Sequence, residues 1–241
     1  QINADLFVLG GYSKILNKKV IDIPHKLCIN LHGGKLPKYR GSSPLNWALI
    51  NDEKEFTISI IKVDSGIDTG EILKEYNQTI EPEDTIVDLH KKANEQFPKL
   101  LLNVIGEIKR DSYKLIKQDQ KDVAYYPLRH KEDGFILFDQ LTTKEIHSRI
   151  RALTLPYPCA FSFWKDQKVN FIKSQLNNFP YNGEAGKIYR KTKKGLLVAC
   201  KDESIWISKA NFEDGSDAIT AIQKYDSFTT IRGEILNSFK K

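Results

Sequence analysis

Two short runs hold the side chains best suited to chemistry. "INLHGG", Ile29 to Gly34, sets an amide and an imidazole two positions apart, and "VDSGIDTG", Val63 to Gly70, sets Asp64 and Asp68 around a glycine. Side chains alternate along an extended strand, so Asn30 and His32 share one side of it. An amide donor, a histidine and a carboxylate together can steady negative charge growing on an oxygen, relay a proton and hold the charge state of an imidazole. Covalent acyl transfer is not suggested, because no Ser or Cys adjoins His32 and Cys28 lies two residues from Asn30. Direct attack by a substrate nucleophile fits better. One histidine and one carboxylate are too few for a metal site. The residues alone leave a second reading open, a strand cap beside a satisfied core histidine.

The flanking sequence supplies elements that could hold these groups. "ADLFVLGG" and "KLCINLHGG" read as short buried strands, "EFTISIIKVD" alternates with β-branched residues, and "EILKEYNQTI" is a further strand. Between the first two, "SKILNKKVIDIP" reads as a short helix stopped by Pro24, and "PLNWALIND" as a helix with Pro44 in its first turn. A long helix is expected after Thr85, which forms a capping pair with Asp88. Its apolar face is Ile86, Leu89, Ala93, Phe97, Leu101, Val104 and Ile108, with a kink at Pro98. Strands alternating with helices imply an α/β fold with a doubly wound, Rossmann-like parallel sheet, which would place both runs at strand ends where such sheets bind ligands. The catalytic portion is assigned to residues 1–111 and a polar linker to 112–139. Residues 140–241 are assigned to a small OB-like β-barrel domain, with a helix capped by Thr142 and Glu145 followed by strands.

Composition excludes several classes. The chain has 241 residues, 40% hydrophobic and 28% charged, enough to bury a core. No apolar run approaches the roughly 18 residues of a membrane helix. The three cysteines, Cys28, Cys159 and Cys200, make neither a disulfide framework nor a zinc spacing, so a cytoplasmic location is expected. A net charge of +6 suits an anionic partner such as a nucleotide or RNA without choosing between them. The chain opens on Gln1 and contains no methionine, from which a longer translation product is expected.

Taken with its surroundings, "NLHGGKLPKYRGSSPLNWALIND" followed by "VDSGIDTGEI" resembles the formyltransferases that use 10-formyltetrahydrofolate, a family including methionyl-tRNA, glycinamide ribonucleotide and sugar-nucleotide enzymes. That pattern is Asn-x-His, Leu-Pro, Arg-Gly and a late Asp-x-Gly, with the aspartate 36 positions after the histidine, as from His32 to Asp68 here. "EDGFILFDQLTTKEIHSRIRALTLPYPCAF" is similar to the family's junction into its OB-like domain, and strand and helix units that precede "ADLFVLGG" in the family are missing from this chain.

The resemblance implies that Asn30, His32 and Asp68 are catalytic. It further implies that Tyr12, Lys14, Ile15 and Leu16, with Ser65, Gly66 and Ile67 opposite, bind 10-formyltetrahydrofolate without a metal. Lys38 and Arg40 are candidate phosphate contacts. "RGSSPLNWALIND" is closer to enzymes that formylate a nucleotide-linked 4-amino sugar, and the tail lacks the Leu-Gln and Gly-Lys-Lys features of the tRNA enzymes. The expected substrate is therefore a nucleotide-linked amino sugar, with methionyl-tRNA as the alternative, tRNA as partner only in that case, no membrane partner, and a homodimer left open. A catalytically inactive folate- or nucleotide-binding module is the alternative of another class. "NGEAGKIY" lacks the glycine and the Ser or Thr of a phosphate loop. His25, His90, His130 and His147 have no partner set in the sequence and are expected to be surface or core groups.

Overall fold

A computed structural model describes residues 3–238. It divides into two units, one of residues 1–48 and 53–129, the other of Leu49–Asp52 with His130 onward.

In the first unit the described elements begin with β1 (Leu6–Gly10), α1 (Lys18–Ile21), β2 (Leu27–His32), the two-residue β3 (Arg40–Gly41) and α2 (Pro44–Ile50), of which this unit holds residues 44–48. They continue with β4 (Glu55–Lys62), β5 (Ile72–Thr79), α3 (Ile86–Lys109) and β6 (Tyr125–Tyr126). β1, β2, β4 and β5 form one sheet in that order. Its interior is apolar: Ile29, Ile58, Ile60 and Ile61 are buried, and the face of α3 carrying Ile86, Leu89, Ala93, Leu100, Val104 and Ile108 is buried too. Leu100 takes the place expected for Leu101, and the helix runs as one element through Pro98. At its start the Asp88 carboxylate accepts from both the N–H (2.8 Å) and the hydroxyl (2.7 Å) of Thr85, satisfying an otherwise orphaned donor.

The α/β class holds, but the sheet is mixed. Only β1 and β2 run parallel, while β2–β4 and β4–β5 are antiparallel. For β4 and β5 the reason lies in their connection. Parallel neighbours need a crossover of a dozen or more residues, and β4 passes to β5 through a single loop without a helix. The helix expected from Ser13 also shrinks to α1, with Asn17 as its cap, so that residues 13–16 are irregular backbone.

Residues 112–129, expected to open a linker, pair back onto this unit. Ile116 and Ile72 exchange N–H···O bonds of 2.8 and 2.9 Å, and β6 lies parallel to β3.

The second unit holds a 3-10 turn (Lys131–Gly134), α4 (Thr143–Leu153), β7 (Ala160–Trp164), β8 (Gln167–Leu176) and β9 (Ile188–Thr192). It ends with β10 (Gly195–Ala199), β11 (Ser204–Phe212), α5 (Ala218–Ala221) and α6 (Ile231–Ser238). β7, β8, β11, β10 and β9 make an antiparallel sheet in that order. Among the described residues no ladder joins β7 to β9, so the expected closed barrel is not seen. The edges are met by irregular backbone instead: Ile188 N–H donates to Asp226 (2.9 Å), and Thr229 N–H donates to Phe163 (2.9 Å). Phe138 stacks on Phe228 and Phe171 meets both edge-on in the core of this unit, with centroids 5.3 to 5.8 Å apart. No described helix is long and apolar enough to cross a membrane.

Candidate active site

β2 ends the apolar floor with the two residues of interest. Asn30 and His32 pair with Ile61 and Ser59 of β4, and both line a cavity of about 540 Å³ in the first unit. His32 is 5% exposed. Its Nε2 lies 2.6 Å from the Tyr39 carbonyl oxygen. A carbonyl can only accept, so Nε2 carries the proton and Nδ1 is the nitrogen left for exchange.

Nδ1 faces Asp68 Oδ2 at 3.6 Å, a separation for charge attraction rather than a hydrogen bond. The same carboxylate oxygen accepts the Gly41 N–H at 2.9 Å.

Local sequence explains how the acid reaches this place. After β4, Asp64 accepts from Gly66 N–H (3.0 Å) and the Thr69 hydroxyl (2.6 Å), tightening the turn. Asp68 adopts φ of 51°, a left-handed conformation that Asp tolerates better than most residues. A Cβ on Gly70 would stand 1.7 Å from the Lys62 carbonyl oxygen, so only glycine lets the loop return to β5. On the histidine side, a Cβ on Gly34 would approach His32 Nε2 to 2.9 Å, whereas Gly33 meets only ordinary contacts from 3.4 Å.

Of the residues predicted to bind the formyl donor, Tyr12, Lys14, Ile15, Leu16, Gly66 and Ile67 line the cavity, and Ser65 does not. Tyr12, Ile15 and Ile67 are large and mostly apolar side chains left 52, 74 and 48% exposed. That lining suits a flat heteroaromatic ring needing apolar cover, and the volume lies within the range of small-molecule pockets.

Lys38 and Arg40, expected as phosphate contacts, are committed inside the chain. Lys38 Nζ sits 2.6 Å from Glu53 Oε1, which raises the lysine's pKa. Arg40 is 3% exposed and donates to Gln118 and Tyr125. Leu128 also lines the cavity, and Gln118 donates to the backbone of the acidic loop. Neither was found from the sequence, because both lie in the segment without periodicity. Among the described residues no group of three or more His, Cys, Asp or Glu could hold a metal ion.

Comparison with known proteins follows the division of the chain. Residues 1–105 match the formyl transferase family and residues 129–223 the formyl transferase C-terminal domain. A methionyl-tRNA formyltransferase of Acetivibrio thermocellus is 33% identical over 237 residues, covering 98% of this chain and 75% of that one. One from Fusobacterium nucleatum is 37% identical over 216 residues, 89% of this chain and 69% of that one. Among solved structures, HypX from Aquifex aeolicus in complex with tetrahydrofolic acid superposes with a TM-score of 0.68 at 16% identity, covering 93% of this chain and 42% of that one. The N-formyltransferase from Helicobacter canadensis in complex with folinic acid and dTDP-3-aminofucose reaches 0.68 at 24% identity, covering 83% and 71%.

These findings overturn the expected amino-sugar substrate. The relatives at 31 to 37% identity bear the methionyl-tRNA name, whereas the sugar-handling neighbour at 24% is a likeness of fold. Physically, "RGSSPLNWALIND" could not discriminate. It forms β3 and α2, and its Arg40, Leu45, Asn46, Ala48 and Leu49 are buried, so packing rather than the amine's carrier selects them.

Proposed function

Because the chain belongs to the formyl transferase family, whose members are formyl-transferring enzymes, we propose that it is the catalytic and carboxyl-terminal portion of a methionyl-tRNA formyltransferase. In this reading it formylates the amino group of methionyl-tRNA, using 10-formyltetrahydrofolate as donor. The observation that supports it most is the pairing of a buried His32 with Asp68 on the wall of one cavity, in a chain whose relatives carry that name over most of their length.

The amine would attack the formyl carbon that the donor supplies, and the bond from that carbon to N10 would break, so that tetrahydrofolate leaves and takes up the proton that the amine loses. Tyr12, Ile15, Leu16 and Ile67 would cover its ring, with Lys14 and Gly66 beside them. The Asn30 amide would donate to the carbonyl oxygen as negative charge grows there, a preorganised dipole that costs no reorganisation at the moment of reaction. His32 exchanges its proton at Nδ1, since Tyr39 holds Nε2. Asp68, 3.6 Å from Nδ1, would help remove the proton the amine must lose. A net charge of +6 suits a polyanionic tRNA.

The test is formation of formyl-methionyl-tRNA by the purified full-length protein. Turnover in wild type and its loss in His32→Ala with unchanged folding is expected. Binding of the folate without turnover by wild type would instead favour a binding module.

A further inference from the structure

Asp68 is held from behind. Its own carbonyl oxygen accepts a hydrogen bond from Gln118 Nε2 at 2.8 Å, and the second hydrogen of that amide goes to the Gly70 carbonyl, also at 2.8 Å. On the other side Gln118 Oε1 accepts from Arg40 Nε at 3.0 Å and Nη2 at 2.6 Å. The orientation of the amide is therefore unambiguous, because a guanidinium only donates and a carbonyl only accepts. Arg40 Nη1 donates in turn to the Tyr125 hydroxyl at 3.0 Å.

Two features make this more than packing. Gln118 and Arg40 are both buried, at 8 and 3% exposed, and the cation's hydrogen-bond partners here are neutral groups, an arrangement costly to bury unless geometry is held well. The brace also joins the two backbone segments that fix the acid. Arg40 precedes Gly41, whose N–H holds the Asp68 carboxylate, and Gln118 grips the Asp68 and Gly70 carbonyls on either side of a left-handed residue. Strain of that kind persists only where the surroundings over-determine it.

We propose that Gln118 is a positioning residue: braced by Arg40, it holds the Asp68 loop so that the carboxylate faces His32 Nδ1. The inference rests on the catalytic reading of His32 and Asp68 and deepens it.

Gln118→Glu is the decisive variant. It has the same shape and keeps its pairing with Arg40, but offers acceptors to two carbonyls that are themselves acceptors. Displacement of a catalytic group by an ångström costs about 100-fold in rate, so kcat should fall by about 10- to 100-fold with the KM for 10-formyltetrahydrofolate little changed. In an Asp68→Ala background the same change should cost nothing further, since a residue acting through Asp68 has nothing left to position. The Gly41 amide should exchange with solvent faster in Gln118→Glu.

Unchanged kcat, or a loss fully additive with Asp68→Ala, overturns the inference. A loss that tracks melting temperature and folate affinity alike does so as well, since that is a purely structural role. Should Gln118→Glu not fold, Arg40→Lys reads the same brace by replacing a two-point grip with one, and unchanged kcat there overturns it equally. If wild type forms no formyl-methionyl-tRNA, the proposed function fails, while Gly41 exchange still decides whether Gln118 holds the loop.

Discussion

His32 and His147 are equally buried, at 5% exposed, and each has a ring nitrogen in a hydrogen bond, yet their surroundings differ in kind. His147 belongs to α4, and its Nδ1 lies 2.9 Å from the hydroxyl of Ser174 on β8. A hydroxyl rotates and can donate or accept, so it adapts to either ring tautomer. The partner of His32 is a backbone carbonyl, which cannot adapt, and its other nitrogen faces a carboxylate on the cavity wall. Burial satisfies one ring; the other is given a fixed proton, an open nitrogen and a charge.

The comparison breaks most visibly by truncation. His32→Ala should lower kcat of the folded fraction by about 10²- to 10⁴-fold, the usual worth of a positioned acid or base, besides costing about 1–3 kcal/mol for the Tyr39 carbonyl it leaves without that donor. His147→Ala should cost stability alone. It strands a buried Ser174 hydroxyl at about 1–3 kcal/mol, read as a lower urea midpoint, and leaves kcat for the folded fraction intact. Parallel kinetics and unfolding on the two variants check both halves, and a catalytic loss in His147→Ala would remove the distinction.

A finer test uses the adjacent glycines. Neither Gly33 nor Gly34 has a positive φ, so space alone separates them. In Gly34→Ala the new methyl stands 2.8 Å from carbons of Pro44 and Tyr39 and 2.9 Å from His32 Nε2. Overpacking of this kind costs about 1–3 kcal/mol, and here it would press on the Nε2–Tyr39 bond that sets the tautomer. Gly34→Ala should therefore lose more activity than its loss of stability explains, and Gly33→Ala should remain close to wild type in both. The glycine pair looks uniform in the sequence, and only the positions of Pro44 and Tyr39 assign its two members different roles.

The same contrast separates what could be read from the chain from what could not. Asn30 and His32 were legible because strand alternation puts them on one side, and Asp68 because its interval from His32 matches a family pattern; the structure places all three on one cavity. Gln118 was invisible. It lies 50 residues from Asp68 in a polar segment without period, and it acts through an amide that any surface glutamine also carries. Strands were found well, β11 to the residue as "SIWISKANF", since β-branched and aromatic runs mark them locally. Their direction was not, because whether β4 and β5 run parallel depends on the loop between them and not on either strand. Similarly, the amine's identity was sought in residues that packing had already claimed.

The smallest expected effect concerns the two helix caps, Asp88 in the first unit and Glu145 in the second. Asp88 Oδ2 accepts from the Thr85 N–H and hydroxyl, and these bonds, the backbone one foremost, hold its carboxyl below the ordinary range. Glu145 Oε2 does the same with Thr142, both bonds at 2.8 Å, and is lowered likewise, again chiefly by the backbone N–H. A folded-state pKa below the unfolded one means stability that is complete above the unfolded value and is lost as pH falls through the folded one. Asp88→Asn and Glu145→Gln should thus each cost about 0.5–1 kcal/mol at neutral pH, with the deficit against wild type shrinking as both carboxyls protonate in acid. Asp88 is half-buried and Glu145 exposed, so solvent screens the second more and Asp88→Asn should carry the larger deficit. Urea midpoints measured at neutral and acidic pH decide it: a deficit that persists in acid would assign the loss to packing at the helix start rather than to the charge.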